Sequence, residues 1–407
     1  MKNLILTFLV LFSISTSGSS KTRKAIYIVL DGIPADYIER VHPKTVFDIA
    51  HDGAYGRAYT GGEIGAYSQT PTISAIGYTN MLTGTWLNKH NVNGNSNLKP
   101  NYNYWTMFRI AKEQSQPYTT ALFSSWVDNR TVLIGEGKPE TNQVKIDYVY
   151  DGYELDQVRF PKKKDELHIF DIDSVVCRNA AQCLRQDAPD LSWVYLWYTD
   201  SGFHLHGDGA FMDRYVTKTD ALLTPIWEAV KYREKNFDEE WLVIVTTDHG
   251  RTENGHGHGG QLARERSVWM STNRKGVNAH FKQDLSLVDI LPTVCSFMNF
   301  EIPRDVRFEQ DGVSFLGKVD IDELKTQPYD DKVTLSWRCY SSKEQATVYL
   351  ATSNQYKEGG KDEWIKVATL PAKTGAYTID LTQYPSSKFY KFVVETPHNH
   401  LTRWLLK

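Results

Sequence analysis

Three segments of the chain combine aspartate with histidine or glycine at spacings that suit metal binding. The richest is the segment 248–261, DHGRTENGHGHGGQ, which holds one aspartate and three histidines among five glycines. Asp200 and His204 lie four residues apart in DSGFH, and Asp31 precedes a glycine in VLDGIPADY. Carboxylate and imidazole are ligands that suit Zn²⁺, and carboxylate-rich sets suit Mn²⁺ or Mg²⁺. These segments predict a site for divalent metal ions.

A fourth segment, TPTISAIGYTNMLTGTWLNKHNVNGN (70–95), could supply a nucleophile. Its Ser74 begins a short pattern that is compatible with a helix. A serine there would hold its oxygen near a helix N-terminus, where the helix dipole favours an anion. Serine is also a common N-cap, so a purely structural role is the alternative.

The elements that must position these residues are strands of an α/β domain. Three near-continuous apolar runs, 24–30, 191–199 and 241–247, are typical of strands buried on both faces of a parallel sheet. Helical patterns lie between them, for example in 213–236. We therefore predict a doubly wound, mostly parallel sheet with helices on both faces. Each apolar run is followed by one of the aspartate segments, at the strand end where such sheets bind ligands.

From about Gln327 the pattern changes to short strand-like runs separated by turn-rich segments. Such regular spacing predicts a small antiparallel β-sandwich of the fibronectin III type. We therefore expect a catalytic domain over residues 21–325 and a β-sandwich over residues 326–407.

The N-terminal segment, residues 1–20, has the three parts of a secretory signal peptide: a lysine, an apolar stretch and a run of small residues. It predicts export to the periplasm or the medium, and no later apolar run is long enough to span a bilayer. A net charge of −3 favours neither a nucleic acid polymer nor an anionic membrane as a partner. In an oxidising compartment Cys177 and Cys183 could bridge, but their spacing leaves this open.

These motifs, taken in order over residues 24–316, resemble the alkaline phosphatase superfamily, nearest its type I phosphodiesterase/nucleotide pyrophosphatase branch. Counting back nine residues from the Thr-Gly at 83–84 places Ser74 at the family's nucleophile position. Asn95 falls at the position of the asparagine that binds a phosphoryl oxygen. The chain departs from the family at 76–77, where Ile-Gly replaces the usual Pro-Asn.

The resemblance implies two divalent metal ions, with Zn²⁺ expected, and a small-molecule phosphate ester as substrate. The implied ligand sets are Asp200, His204 and His258 for one ion, and Asp31, Asp248 and His249, together with Ser74, for the other. The second HGG repeat matches the family's late His-Gly, which favours His258, although a shift by one repeat would substitute His256. Arg251 is a candidate phosphate contact, with an ion-paired loop arginine as the alternative.

We therefore expect an exported two-metal hydrolase of phosphate esters, above all phosphodiesters, acting through a covalent phosphoryl-serine intermediate. A phosphomonoesterase on the same scaffold is one alternative. A non-catalytic surface-binding protein that uses the β-sandwich for recognition is another. The absence of a Cys/Ser-x-Pro-x-Arg segment disfavours a sulfatase.

Overall fold

The computed structural model describes residues 21–407, so the predicted signal peptide at 1–20 lies outside the described residues. The strands are β1 (Thr22–Leu30), β2 (Ala54–Tyr59), β3 (Thr120–Ser124), β4 (Tyr148–Tyr150), β5 (Leu191–Leu196), β6 (Glu239–Thr246), β7 (Ser267–Thr272), β8 (Ile321–Tyr329), β9 (Lys332–Cys339), β10 (Gln345–Ala351), β11 (Ile365–Pro371), β12 (Ala376–Asp380), β13 (Phe389–Glu395) and β14 (His400–Leu406). The α-helices are α1 (Ala35–Val41), α2 (Lys44–Asp52), α3 (Ser74–Thr83), α4 (Leu87–His90), α5 (Met107–Lys112), α6 (Leu167–Gln186), α7 (Tyr198–His206), α8 (Ala210–Asn236), α9 (Ala263–Arg266), α10 (Ala279–Gln283), α11 (Ile290–Met298) and α12 (Arg304–Arg307).

The larger sheet confirms the predicted doubly wound architecture. Its strand order across the described chain is β2-β7-β6-β1-β5-β3-β4. The pairs β1–β5, β1–β6, β3–β5 and β3–β4 are parallel, whereas β7 runs antiparallel to both of its neighbours. The central strand β1 is buried over its last seven residues. Because helices cover both faces of the sheet, this strand is continuously apolar rather than alternating.

Alternate residues of β1 enter two different hydrophobic clusters, one on each face of the sheet. Tyr27 and Val29 pack with residues of α3, α5 and α11, and Ile26 and Ile28 pack with residues of α6 and α8. The helix predicted over 213–236 is observed as α8, which starts three residues earlier and contains Pro225. The period-two alternation of a strand therefore anchors both helical layers.

The C-terminal region forms two antiparallel sheets with a shared hydrophobic cluster. One has the order β11-β10-β13-β14 and the other the order β12-β9-β8. Inward side chains such as Val333, Leu335, Val348 and Phe392 fill the space between them. The short strand-like runs predicted after Gln327 correspond to β9 to β13, whereas β8 and β14 were not predicted. The expected boundary at 325–326 falls inside β8, so the sandwich begins a few residues before it.

Two further expectations concern cysteines and membranes. Cys177 and Cys183, whose pairing was open, are both free and buried on α6. Six residues on a helix amount to about one and two-thirds turns, so the two side chains leave the helix on different faces. No helix within residues 21–407 is long and apolar enough to cross a membrane.

Candidate active site

Three buried aspartates meet at the carboxyl edge of the large sheet. Asp31 follows β1, Asp248 follows β6, and Asp200 lies in the first turn of α7 just after β5. Since β1 lies between β5 and β6 in parallel, the ends of these strands are neighbours. The three aspartates are only 1%, 0% and 8% exposed, respectively. The topology therefore concentrates three carboxylates in one place from which water is largely excluded.

Two groups of side chains at this edge have the geometry of metal sites. One group is Asp31, Asp248 and His249, and the other is Asp200, His249 and His258, with the candidate ligand atoms of each group within 4.8 Å of one another. His204 joins the second group, because its Nε2 lies 3.1 Å from His258 Nε2 and 3.3 Å from Asp200 Oδ1. All six carboxylate and imidazole side chains expected to bind metal are thus brought together, and His249 is a member of both groups.

Unsatisfied oxygens at this edge fit a bound cation. Asp31 Oδ1 and Asp248 Oδ2 are buried and have no hydrogen-bond partner among the described residues. His249 Nε2 lies 3.4 Å from the first and 3.3 Å from the second. A buried carboxylate oxygen without a partner is costly unless a cation occupies the space. The donor set therefore fits divalent metal ions.

The electrostatics of the carboxylates agree with this fit. Burial, reinforced by the charges of Asp248 and Asp200, raises the pKa of Asp31 well above its usual range. Burial also raises the pKa of Asp248, to about 7. Burial acts on Asp200 in the same direction, but the charge of Arg251 and a hydrogen bond from His204 lower its net pKa. For Asp31 and Asp248, the described residues therefore supply no positive charge that offsets the cost of burial.

Two of the histidines, His249 and His258, are held in the neutral form. Burial, followed by the charge of His258, lowers the pKa of His249 well below its usual value. Burial likewise lowers the pKa of His258. Their rings stack with centroids 3.8 Å apart. Each Nδ1 lies beside a backbone oxygen, that of Gly250 at 2.9 Å and that of Thr72 at 2.8 Å, so each Nε2 is directed into the site.

The choice between the two glycine-rich histidines has a geometric basis. His258 is part of the ligand cluster, whereas His256 is exposed and its Nδ1 contacts the backbone oxygen of His204 at 3.0 Å. His256 Nε2 is directed toward Gly207, where an added Cβ would lie 2.5 Å from it. The geometry therefore favours His258 over His256 as a ligand.

Two buried tyrosines that the sequence analysis missed hold Asp31 in place. The hydroxyls of Tyr78 and Tyr195 both donate to Asp31 Oδ2, the second at 2.8 Å, and also contact each other at 2.8 Å. Tyr78 comes from α3 and Tyr195 from β5. Because both tyrosines donate to Oδ2, the other carboxylate oxygen of Asp31, Oδ1, remains available to a metal ion. No signal in the sequence marks them, since buried tyrosines are common in cores.

Ser74 lies at the metal groups and not at a helix cap. The N-cap residue of α3 is Ile73, and Ser74 Oγ lies 3.2 Å from His249 Nε2. The backbone N–H of Ala75 donates to Asn95 Oδ1 at 2.9 Å, which brings the predicted phosphoryl-binding asparagine beside the serine. The first turn of α3 thus carries both the Ser74 hydroxyl and the Ala75 backbone N–H that binds the Asn95 side chain.

The Ile-Gly departure from the family pattern has a packing reason. A Cβ placed on Gly77 would lie 2.8 Å from the backbone oxygen and 2.9 Å from the Cβ of Asp248. Helix α3 therefore passes so close to the metal-binding segment that only glycine fits at this position.

Arg251 is buried next to the predicted metal-binding residues. Its side chain is 0% exposed, Nε donates to Gly32 O at 2.9 Å, and Nη2 donates to the carboxylate of Asp200. Gly32 has a φ of +68°, and an added Cβ would clash with the guanidinium. This placement matches the ion-paired alternative, because the guanidinium is directed at protein oxygens.

Comparisons with known proteins place this site in a family. The model of the type I phosphodiesterase/nucleotide pyrophosphatase family matches residues 25–310. A candidate sulfatase of known structure from Bacteroides thetaiotaomicron is 13% identical, with 85% of each chain covered and a TM-score of 0.51. Murine ectonucleotide pyrophosphatase/phosphodiesterase 5 is 12% identical, with 69% of this chain and 96% of that chain covered and a TM-score of 0.46. No curated protein sequence matches the chain.

The fold and the site define a hydrolase of the alkaline phosphatase superfamily. Within it, the chain belongs to the type I phosphodiesterase/nucleotide pyrophosphatase family, whose model spans most of the large sheet and all the residues of the site.

Proposed function

We propose that this protein is an exported metal-dependent hydrolase of phosphodiesters that uses Ser74 as its nucleophile. The observation that carries the proposal is the position of Ser74 Oγ, 3.2 Å from His249 Nε2 at the centre of the two metal-binding groups. The same Nε2 lies 3.4 Å from Asp31 Oδ1 and 3.3 Å from Asp248 Oδ2, the two carboxylate oxygens that have no hydrogen-bond partner in the described chain.

The residues that would hold the metal ions follow from the geometry. Asp31, Asp248 and His249 would hold one ion, and Asp200, His204 and His258 the other. Zn²⁺ suits this mixed set of carboxylates and imidazoles. When bound, two such ions lower the pKa of hydroxyl groups and neutralise the charge of a phosphoryl group.

The chain's own groups then divide the reaction between them. Ser74 Oγ attacks phosphorus, so that a bond forms from Oγ to phosphorus while the bond from phosphorus to one ester oxygen breaks and that alcohol leaves. In the second displacement the oxygen of water bonds to phosphorus, the bond from phosphorus to Ser74 Oγ breaks, and the phosphate monoester leaves. A proton from water restores the Ser74 hydroxyl, whose own proton left with the alcohol. The Asn95 amide nitrogen makes no hydrogen bond to a described residue, so it is free to donate to a phosphoryl oxygen.

Arg251 acts as a positioning residue in this proposal. Its ion pair with Asp200 and its bond to the backbone of Gly32 connect the segments that follow all three strands. A guanidinium that is buried and already paired orients a metal ligand and does not reach a substrate.

A comparison of diester and monoester substrates tests the function. We expect the zinc-loaded protein to hydrolyse bis(p-nitrophenyl) phosphate with a higher kcat/KM than p-nitrophenyl phosphate. A phosphomonoesterase, the second candidate on this scaffold, would show the reverse order. A metal-loaded protein that cleaves neither ester would contradict both proposals and support a non-catalytic binding protein.

A further inference from the structure

The segment that carries Asn95 is unusually rich in asparagine. Residues 88–103, NKHNVNGNSNLKPNYN, contain seven asparagines in sixteen positions. Catalysis needs one of these amides, that of Asn95, and the structure divides the others into two groups with different environments.

The first group holds the segment in place. Asn101 Nδ2 and Asn103 Nδ2 both donate to the backbone oxygen of Lys357, at 2.8 Å and 3.0 Å. Lys357 Nζ donates in turn to Asn88 O at 2.8 Å. Lys357 lies on the connection between β10 and β11, so the C-terminal region fixes both ends of the segment. The contact of Asn95 with Ala75 fixes its middle.

The second group consists of asparagines whose side-chain amides do not bind to the described part of the protein itself. Asn91, Asn93 and Asn97 are exposed, and their side chains make no hydrogen bond to any residue in 21–407. They line one groove of about 460 Å³ together with Lys99, Leu87 and Asn88. Asn93 and Asn97 are each two residues from Asn95, so their Cα atoms lie within about 7 Å of its Cα. The groove therefore adjoins the phosphoryl-binding asparagine.

We propose that this asparagine-lined groove binds the organic part of the substrate and that this part is a polyhydroxylated group, such as a sugar or a cyclic polyol. The inference rests on the proposed function, because it assigns the groove to an ester cleaved at Ser74. Each free amide offers both donors and an acceptor, which matches neighbouring hydroxyls that also donate and accept. Lys99 adds one cation at the edge of the groove for a second anionic group.

The groove is less suited to a nucleobase. Among the described residues, its lining contains no aromatic side chain on which a base could stack and no arginine. Stacking on aromatic faces is a major source of affinity for bases. An extended set of neutral amides instead favours a ligand whose whole surface forms hydrogen bonds. The anchored ends of the segment reduce the ordering cost of binding such a ligand.

Backbone conformation offers another explanation for the presence of asparagine at two of these positions. This explanation can be separated from ligand binding by substitution. Asn91 and Asn97 have φ values of 65° and 52°, a region that asparagine tolerates better than most residues. Glycine satisfies this requirement without an amide. Asn91→Gly and Asn97→Gly therefore remove the hydrogen-bonding group and keep the backbone conformation. Asn93 has no positive φ, so Asn93→Ala serves the same purpose.

The experiment compares three diesters of p-nitrophenol with the zinc-loaded protein. Their second ester groups are glucose, thymidine and a second p-nitrophenol. We expect the lowest KM for the glucose ester. Each of the three variants should raise that KM about 3- to 10-fold, with a smaller effect on bis(p-nitrophenyl) phosphate, which has no hydroxyl to bind. Asn236→Ala, at the distant end of α8, is the matched control and should leave all three KM values unchanged.

Three results would contradict the proposals, and those that overturn the polyol site are distinguishable from the one that overturns the proposed function. If the glycine variants keep the native KM for the glucose ester, the asparagines serve the backbone alone and the polyol site is wrong. A lower KM for the thymidine ester would also overturn it in favour of nucleosides. If instead the native protein cleaves none of the three diesters, the proposed function itself fails.

Discussion

Two clusters in this molecule contain the same three buried side chains, two aspartates and a histidine, but their electrostatics are opposite. The sheet-edge cluster consists of Asp31, Asp248 and His249, and the interface cluster consists of His280, Asp289 and Asp322. The first lies at the carboxyl ends of β1 and β6, and the second lies where the catalytic region meets β8.

In the interface cluster the charges compensate one another. His280 donates from Nε2 to Asp289 at 3.0 Å and from Nδ1 to Asp322 at 3.3 Å. Burial alone would lower the pKa of His280, but the two aspartates raise it to about 10. The cluster is therefore an ion triad between the two parts of the chain.

In the sheet-edge cluster the histidine stays neutral, because burial and the neighbouring His258 lower the pKa of His249. Two carboxylate oxygens there, Asp31 Oδ1 and Asp248 Oδ2, have neither a hydrogen bond nor an ion pair with lysine or arginine in the described chain. Asp322 Oδ1 of the interface cluster also lacks a hydrogen bond, but it lies 3.4 Å from Arg338 Nε. Burial of charged residues therefore does not by itself mark a functional site. Uncompensated burial does, because the protein then needs a ligand to complete it.

The largest expected effect comes from breaking the compensated cluster. His280→Gln removes the cation that bridges two buried carboxylates, of which only Asp322 keeps a second cationic neighbour, Arg338, in the described chain. We therefore expect the free energy of unfolding to fall by about 3–5 kcal/mol. Chemical denaturation measures this loss. The exposed His51→Gln is the control and should change the free energy of unfolding by less than about 0.5 kcal/mol. A comparably small loss in His280→Gln would show that the triad does not hold the two parts together.

The same cluster predicts a pH dependence of stability. The folded-state pKa of His280, about 10, lies above its ordinary value of 6.5. Its contribution to stability is therefore fully present below pH 6.5 and is lost as the pH rises through about 10. We expect the difference in unfolding free energy between the native protein and His280→Gln to shrink over this range. A difference that stays constant from pH 6 to pH 10 would contradict a charged His280.

The sheet-edge cluster should respond to neutralisation in the opposite direction. Burial raises the pKa of the Asp248 carboxyl group to about 7, so at pH 8 this carboxylate carries a charge that is costly to bury. In protein stripped of metal by a chelator, Asp248→Asn removes that charge, and we expect the free energy of unfolding to rise by about 0.5–2 kcal/mol. The matched change in the interface cluster, Asp322→Asn, should lower stability. If both variants changed the free energy of unfolding in the same direction, the distinction between the clusters would be contradicted.

A smaller effect concerns the tyrosines that orient Asp31. Tyr78→Phe removes a hydroxyl that donates to Asp31 Oδ2, and we expect the affinity for one metal ion to fall about tenfold. Competition with a chromogenic chelator measures this affinity independently of turnover. Tyr27→Phe is the control, because the Tyr27 hydroxyl is also buried but has no partner in residues 21–407. Equal losses in both variants would indicate a general packing effect.

Much of the fold was predictable because its signals are local. Continuous apolar runs identified β1, β5 and β6, and the residues after them marked the sheet edge where Asp31, Asp200 and Asp248 meet. Strand β14 was missed because its pattern, HLTRWLL, interleaves polar residues with apolar ones at the chain end.

The contacts that complete the site were not predictable, because they join residues far apart in the chain. Tyr78 and Tyr195 reach Asp31 across 47 and 164 positions, and Arg251 reaches Asp200 across 51. The sequence identifies these side chains as buried tyrosines and a loop arginine. The packing of α3 brings Tyr78 to the metal-binding residues, and the alignment of the strand ends brings Tyr195 and Arg251 there. The same holds for Lys357, whose contacts with the asparagine-rich segment join the two parts of the chain.

The most direct test of the central claim measures metal content and turnover together in the native protein and in Ser74→Ala. The proposal predicts about two zinc ions per chain in both proteins. It also predicts that hydrolysis of bis(p-nitrophenyl) phosphate falls by at least about 10³-fold in the variant. A Ser74→Ala variant that binds the same metal and keeps the native rate of hydrolysis would contradict the claim.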